Sequence, residues 1–399
     1  MTSSISWLDF DSRAHERSQQ LLATLNEPGT RDELGLGNIR DALSDLMFPG
    51  TSTIQTRLKY MLLVPWTYAW LESRQVPARA FARRAHQMEV RLIETLSDSG
   101  QRGIIGSGAR GSLKRMPSSI YWAGLRSWGL RLFDGSQTNY YNSIDRIHAS
   151  RKTMERQRKE HGSAPLDATS TWHAFFRNEQ WLNTPLKEQT IALSFNEAEF
   201  LRDRIYATQP GTYLKWLAEL NEPDESDFPW TQFRAAELPP DIARLVHHAR
   251  LFSHLMHGAS LLYSFLLSQH IERFDWADRH AEKIGDWRQR APWDELQTWS
   301  LNDFFRLAQS TRHRIRPSAM NFVRRWHDLA CQMKGRVMDS LQAGELIRRR
   351  ERTLKRSRSR FDNASVRKHW RGDSATPQLN YRWRNVQWFM QDLHAGLER

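Results

Sequence analysis

The chain has 399 residues, enough for two or three domains, because one hydrophobic core rarely grows past roughly 250–300 residues. Its apolar share is only 39%, yet 17 Trp and 18 Phe concentrate that share in large side chains, which argues against wholesale disorder. With 58 Lys and Arg against 45 Asp and Glu, the net charge of +13 excludes an acidic solvating protein and suits a polyanionic partner.

Read from the N-terminus, the pattern is helical. A helix is expected over 12–26, capped by Asp11 or Ser12 and stopped before Pro28-Gly29. Residues 38–47 set Ile39, Leu43, Leu46 and Met47 on one face and meet Pro49-Gly50. Thr51 or Ser52 is the expected cap of a helix carrying Ile54, Leu58, Met61 and Leu62, which Pro65 should kink or break. Another helix fits 77–97. Strand signals are sparse, Gly103–Gly106 and Leu130–Phe133 being the best. Residues 148–170 read as a helix passing into a linker. A second helical block opens near Ser194 and includes 241–274, 300–312, 317–352 and 380–396, with 221–231 and 357–379 as loops. No fixed-period repeat is visible, which disfavours a solenoid.

The positive charge is uneven. Residues 1–150 hold 18 basic and 14 acidic side chains, residues 151–340 hold 26 and 25, and the last 59 hold 14 and 6. Over half of the surplus therefore sits in about a seventh of the chain. There the run from Arg348 to Arg360 places Arg348, Arg349, Arg350, Arg352, Lys355, Arg356, Arg358 and Arg360 around one carboxylate, Glu351. Such a density repels itself unless neutralised, and phosphates do so with release of counterions. These eight, with Lys114 and Arg115, are the expected nucleic-acid contacts. A solvated basic face or an acidic protein surface is the alternative.

Other constellations are weaker. The lone Cys331 excludes an internal disulfide or an all-Cys zinc cage and is expected to be an inert, half-buried thiol. His254 and His257 share a helical face, with His247 one heptad earlier, but no HExxH pattern completes a zinc site. Asp32, Glu33, Asp41 and Asp45 form a loose acidic group lacking the third ligand and lysine of a nuclease. The Gly103–Gly111 run lacks a leading strand, so it reads as a turn rather than a phosphate cradle. Residues 113–130 suggest helix, turn and short strand beside cations, a winged-helix-like element. Trp370, Tyr381, Trp383 and Trp388 interleave with Arg367, Lys368, Arg371, Arg382 and Arg384, a pattern that suits base stacking or plain burial. Met1–Phe10 shows no secretory signal, and the longest apolar run, Tyr60–Trp70, is short of the ~20 residues a span needs.

Several stretches carry a resemblance: Ser6-Trp7-Leu8-Asp9-Phe10, Gly29-Thr30-Arg31-Asp32-Glu33-Leu34-Gly35-Leu36-Gly37, Ile39-Arg40-Asp41-Ala42, Phe48-Pro49-Gly50-Thr51-Ser52-Thr53-Ile54-Gln55-Thr56-Arg57, Pro117–Leu125 and Tyr381-Arg382-Trp383. With Phe200–Ile205 and Met256–Ala259, they resemble a bacterial family labelled a domain of unknown function, over nearly the whole chain. The resemblance implies anti-phage defence neighbourhoods beside helicases, sometimes with phospholipase-D-type nucleases. It carries over no catalytic residue. Departures lie near 150–170 and in the arginines after 348.

The expectation is therefore a mainly α, multi-helical protein of two helical blocks with a small winged-helix-like element near 101–134. Its segments would be 1–147, a linker over 148–190, a central helical domain over 191–345, and a basic segment with a terminal helix over 346–399. It would be a cytoplasmic, non-catalytic defence subunit without cofactor, metal or membrane. It would bind nucleic acid, DNA before RNA, through phosphates and present it to a helicase or nuclease. The rival is an adaptor docking on an acidic partner; an unrecognised nuclease ranks last.

Overall fold

The computed structural model describes residues 33–98, 100–107, 113, 115–161, 170–178, 182–183, 188–220, 222–372 and 377–399. The expected helix over 12–26 lies outside them. The fold is mainly α and multi-helical. In chain order the main helices are α1 (Gly37–Met47), α2 (Tyr60–Ser73), α3 (Ala78–Ser97), α4 (Pro117–Ser127), α5 (Gln137–His161), α6 (Phe195–Thr208), α7 (Tyr213–Leu220) and α8 (Pro240–His270). They continue with α9 (Phe274–Arg290), α10 (Trp293–Thr298), α11 (Leu301–Gln309), α12 (Pro317–Gln332), α13 (Leu341–Lys355), α14 (Ala364–Arg367) and α15 (Trp383–Leu397). Among the described residues the only strand-like pairing is an isolated antiparallel bridge between Arg131 and Trp172. No described helix is long and apolar enough to cross a membrane.

The chain forms two compact units, each built from separated stretches. The first takes Phe48–Glu225 with Arg382–Arg399, and the second takes 33–47 with Ser226–Tyr381. Among the described residues the chain thus changes unit after Met47, Glu225 and Tyr381.

In the first unit, the segment between Phe48 and α2 is not the expected capped helix but a chain of turns, several of whose polar groups are used internally. Gly50 has φ +80°, and a Cβ on Gly124 of α4 would sit 2.3 Å from the Gly50 carbonyl oxygen, so glycine at both positions allows a close approach. The Pro49 carbonyl accepts from Trp128 Nε1 at 3.0 Å. Gln55 accepts from Ser52 N–H (2.9 Å) and donates to the Gly50 carbonyl (3.2 Å). Thr56 N–H donates to Tyr121 Oη (2.9 Å), and its Oγ1 donates to the Gly103 carbonyl (2.6 Å). Asp392 of α15 takes both the Arg57 guanidinium (2.7 Å) and the Leu58 N–H (2.8 Å). Lys59 meets Glu197 of α6 at 2.6 Å, with both side chains buried. Phe48 packs on Tyr213 and Trp383, with ring centroids 5.4 and 5.8 Å away. Pro65 stands inside α2 without ending it, because nearly every face of that helix is buried and packing outweighs one lost hydrogen bond.

The winged-helix-like element is corrected. Among its described residues 101–134 contain only α4 and the Arg131 bridge, with no second helix and no hairpin wing. The reason is burial. Ile104 and Ile105 turn inward, Tyr121, Trp122, Leu125 and Trp128 are core, and the Arg131 guanidinium lies 4.5 Å from the Trp122 ring while donating to the Gly135 carbonyl.

Also in this unit, Glu89 of α3 accepts the Ser118 N–H at 2.9 Å, at the start of α4. Beside it, Gln137 Nε2 lies 2.8 Å from Ser118 Oγ, 2.6 Å from Tyr68 Oη and 2.7 Å from Tyr141 Oη, sharing its two N–H groups among them. Burial pushes the Glu89 carboxyl up to about 7, although the Ser118 and Tyr68 donors pull the other way.

The second unit is organised on α8, which forms a hairpin with α9 through 271–273. Gly258 and Trp287 stand about equally far from that turn and meet: a Cβ on Gly258 would lie 2.1 Å from the Trp287 ring. The indole then donates to the His254 carbonyl at 2.7 Å, which fixes its plane. Helix propensity alone makes Gly→Ala favourable by about 1 kcal/mol. The contact reverses the sign, so Gly258→Ala should destabilise by about 1–3 kcal/mol, read as a lower urea midpoint. The single helix expected over 317–352 is two helices. Lys334 (φ 43°) and Gly335 (φ 75°) end α12, with Gly335 N–H donating to the Ala330 carbonyl at 2.9 Å.

Candidate nucleic-acid interface

Helix α13 carries most of the basic run. Ser340 caps it, its Oγ accepting the Ala343 N–H at 3.2 Å. Helical periodicity buries Ala343, Leu346, Ile347 and Arg350 and leaves Arg349 and Arg352 exposed on the other side. The helix ends at Arg356, whose φ of 49° turns the chain into a short 3₁₀ segment, Arg356–Arg358.

Three of the eight cations face inward. Arg350 is 7% exposed; it donates to the carbonyls of Leu34 (2.8 Å), Ser318 (3.1 Å) and Gly35 (3.2 Å), and its guanidinium lies 5.2 Å from the Phe322 ring centroid. Lys355 pairs with Glu33 and lies 3.3 Å from Glu351. Arg360 pairs with Glu33 at 2.6 Å and donates to Tyr263 Oη at 3.0 Å. Glu351, fully buried, also accepts from Ser359 Oγ (2.6 Å) and the Arg360 N–H (2.8 Å). Burial alone would raise the Glu33 carboxyl, but Lys355 and Arg360 hold it below its ordinary value. These cations serve the fold.

The others face water to different degrees. Arg348 is half-buried, 5.9 Å from the Phe361 ring centroid, and Arg352 pairs with exposed Asp362 at 3.0 Å. Arg349, Arg356 and Arg358 are exposed, with no carboxylate within 4 Å among the described residues. Arg115 is half-buried in the first unit, and Lys114 lies outside the described residues.

Sequence reasoning passed over a neighbouring set. Between α11 and α12, Asp45 takes Arg312 (3.4 Å) and His313 (2.8 Å), Ile315 is buried, and Arg314 and Arg316 are exposed. The signal was the alternating Arg312-His313-Arg314-Ile315-Arg316 run, free of carboxylates and closed by Pro317.

The profile of a family of unknown function (DUF6361) matches residues 2–154 and 175–396. The chain belongs to the DUF6361 family. No curated protein and no solved structure matches it. The basic run and the 311–316 connector both fall inside the matched residues of this DUF6361 chain, whereas 155–174 fall outside.

Among the described residues, the remaining aromatic, histidine and acidic candidates are buried or half-buried except His247 and Trp388, which are exposed. Trp370, Tyr381 and Trp383 are buried; Trp370 meets Trp276 at 5.4 Å, and Tyr381 donates to the Ala249 carbonyl at 2.7 Å. Trp388 alone of the four is exposed, at 38%. His248 is held between Trp299 Nε1 (2.8 Å) and Asp303 (3.3 Å), and burial together with Arg250 and His257 lowers His254 to about 4. No three His, Cys, Asp or Glu side chains converge as metal ligands among the described residues. Asp41 pairs with Arg40 at 3.0 Å, and Asp32 lies outside the described residues. Cys331 is buried, its thiol pushed up to about 11 by burial and by Asp328.

Proposed function

We propose that the chain is a non-catalytic subunit that binds the phosphate backbone of nucleic acid through the exposed face of α13 and the turn after it. The observation that carries this reading is the sorting of the basic run. Glu33 and Glu351 neutralise Lys355 and Arg360 internally, while Arg349, Arg356 and Arg358 stay exposed with no carboxylate within 4 Å among the described residues. A cation at a helix C-terminus gains from the dipole, about 0.3–1 kcal/mol, which accounts for one such residue but not for three. The Arg352–Asp362 pair, being exposed, is weak enough to open to a phosphate. Contacts of this kind position a protein on a backbone without reading bases. Its place in a bacterial anti-phage system, presenting DNA to a helicase or nuclease, rests on the family resemblance of the sequence.

The test is the salt dependence of binding to DNA for wild type and for Arg349→Ala/Arg356→Ala/Arg358→Ala. The log–log slope should flatten by about 3 on a duplex, at roughly 0.9 per lost contact. No wild-type binding at ~50 mM salt, where such contacts are strongest, would overturn the reading in favour of docking on an acidic protein.

A further inference from the structure

We infer that the ligand of this surface is a duplex, gripped by a second pair of arginines, Arg314 and Arg316, on the connector between α11 and α12; the inference rests on the phosphate-binding reading above.

The connector is built rather than loose. Asn38 Nδ2 donates to the Arg314 carbonyl at 2.8 Å, Asp45 holds Arg312 and His313, and Ile315 is 7% exposed. With Ile315 turned inward, the extended backbone turns Arg314 and Arg316 out, and both are exposed. Neither has a carboxylate within 4 Å among the described residues, because Asp45 is spent on the two residues before them.

Arg350 ties the first turn of α12, directly after this connector, to α13. Its guanidinium donates to the Ser318 carbonyl at 3.1 Å, two residues beyond Arg316, while its own neighbour on the helix is Arg349. Arg316 therefore lies two residues from the Ser318 acceptor, and Arg349 is the chain neighbour of the residue that donates to it. Arg316 also precedes the first turn of α12, a 16-residue helix whose N-terminal end carries partial positive charge. Five arginines on these elements, with no carboxylate within 4 Å among the described residues, suit a dense, extended polyanion.

The aromatic side chains decide which polyanion. A single strand is held largely by aromatic rings on which its bases stack. Around these arginines the rings are committed elsewhere: Phe322 lies under Arg350, and Phe361 and Trp370 are buried. Among the described residues of the second unit the exposed large apolar side chains are Phe233, Phe274 and Leu341, none of them on 311–318 or 345–360. Cations without stacking platforms fit a helix that hides its bases and offers only phosphates.

The experiment measures binding of the full chain to a blunt duplex and to one of its strands, across salt, for wild type and Arg314→Ala/Arg316→Ala. The duplex should bind more tightly than the strand, and the double variant should lower the duplex slope by about 2. A wild-type slope in the double variant, with binding still sensitive to Arg349, Arg356 and Arg358, overturns this inference and leaves the proposed function standing. Single strand bound as tightly as duplex also overturns it. A wild type that binds neither overturns both.

Discussion

Replacing Glu33 by alanine should destabilise the protein by about 3–5 kcal/mol, the cost of stranding buried charge. Glu33 is 5% exposed and serves Lys355 and Arg360 together, both largely covered. Without it only Glu351 remains, and Glu351 already accepts from Ser359 and the Arg360 backbone. Glu33→Gln keeps the shape and some hydrogen bonding, so its loss should be smaller. The sign with pH follows from the lowered carboxyl. The stabilisation is present above the ordinary carboxylate pKa and is lost as pH falls through the folded-state value, so wild type and variant should converge in acid. Denaturant midpoints at pH 7 and near pH 3 measure both effects. A gap below about 1 kcal/mol at pH 7 would mean that Lys355 and Arg360 are not committed to the fold and are available to a ligand.

The second large effect is a pH dependence centred on Glu89. Its folded carboxyl is raised to about 7 against 4.5, so between those values the folded state holds a proton that the unfolded state releases. Stability is therefore full below the lower value and falls as pH rises through the upper one, by roughly 3 kcal/mol in total. Glu89→Gln is neutral throughout and can still accept the Ser118 N–H through its amide oxygen. Wild type should lose thermal stability between pH 5 and pH 8 while the variant stays nearly level and becomes the more stable at pH 8. Parallel curves would show that the carboxyl does not titrate in this window.

How legible the interface was depended on what each arginine met. The run from Arg348 to Arg360 announces itself by density, but density cannot sort it. Arg350 differs from Arg349 only in helical phase, and that phase carries it onto the carbonyls of Leu34, Gly35 and Ser318. Arg314 and Arg316 were passed over because their run, Arg312–Arg316, is short and its alternation is less conspicuous than the density after Arg348. Arg350 joins the first turn of α12, just beyond them, to α13. The aromatic-and-arginine pattern near the C-terminus misled in the opposite direction, since Trp370, Tyr381 and Trp383 are buried.

By itself the sequence determined the helical class, the positions of α1, α3, α11 and α15 to within a few residues, and the site of the charge surplus. Those follow from local periodicity, breakers and composition, which act within a few residues of chain. It also singled out Gly29–Gly37 and Phe48–Arg57, but not why they matter. Glu33 answers cations more than 300 residues later, and Arg57 answers Asp392 at a similar remove. Only the tertiary structure decided that the chain changes unit after Met47, Glu225 and Tyr381, and which arginines are buried. Burial and pairing belong to contacts between distant segments, and no local pattern encodes the carboxylate that a cation will meet.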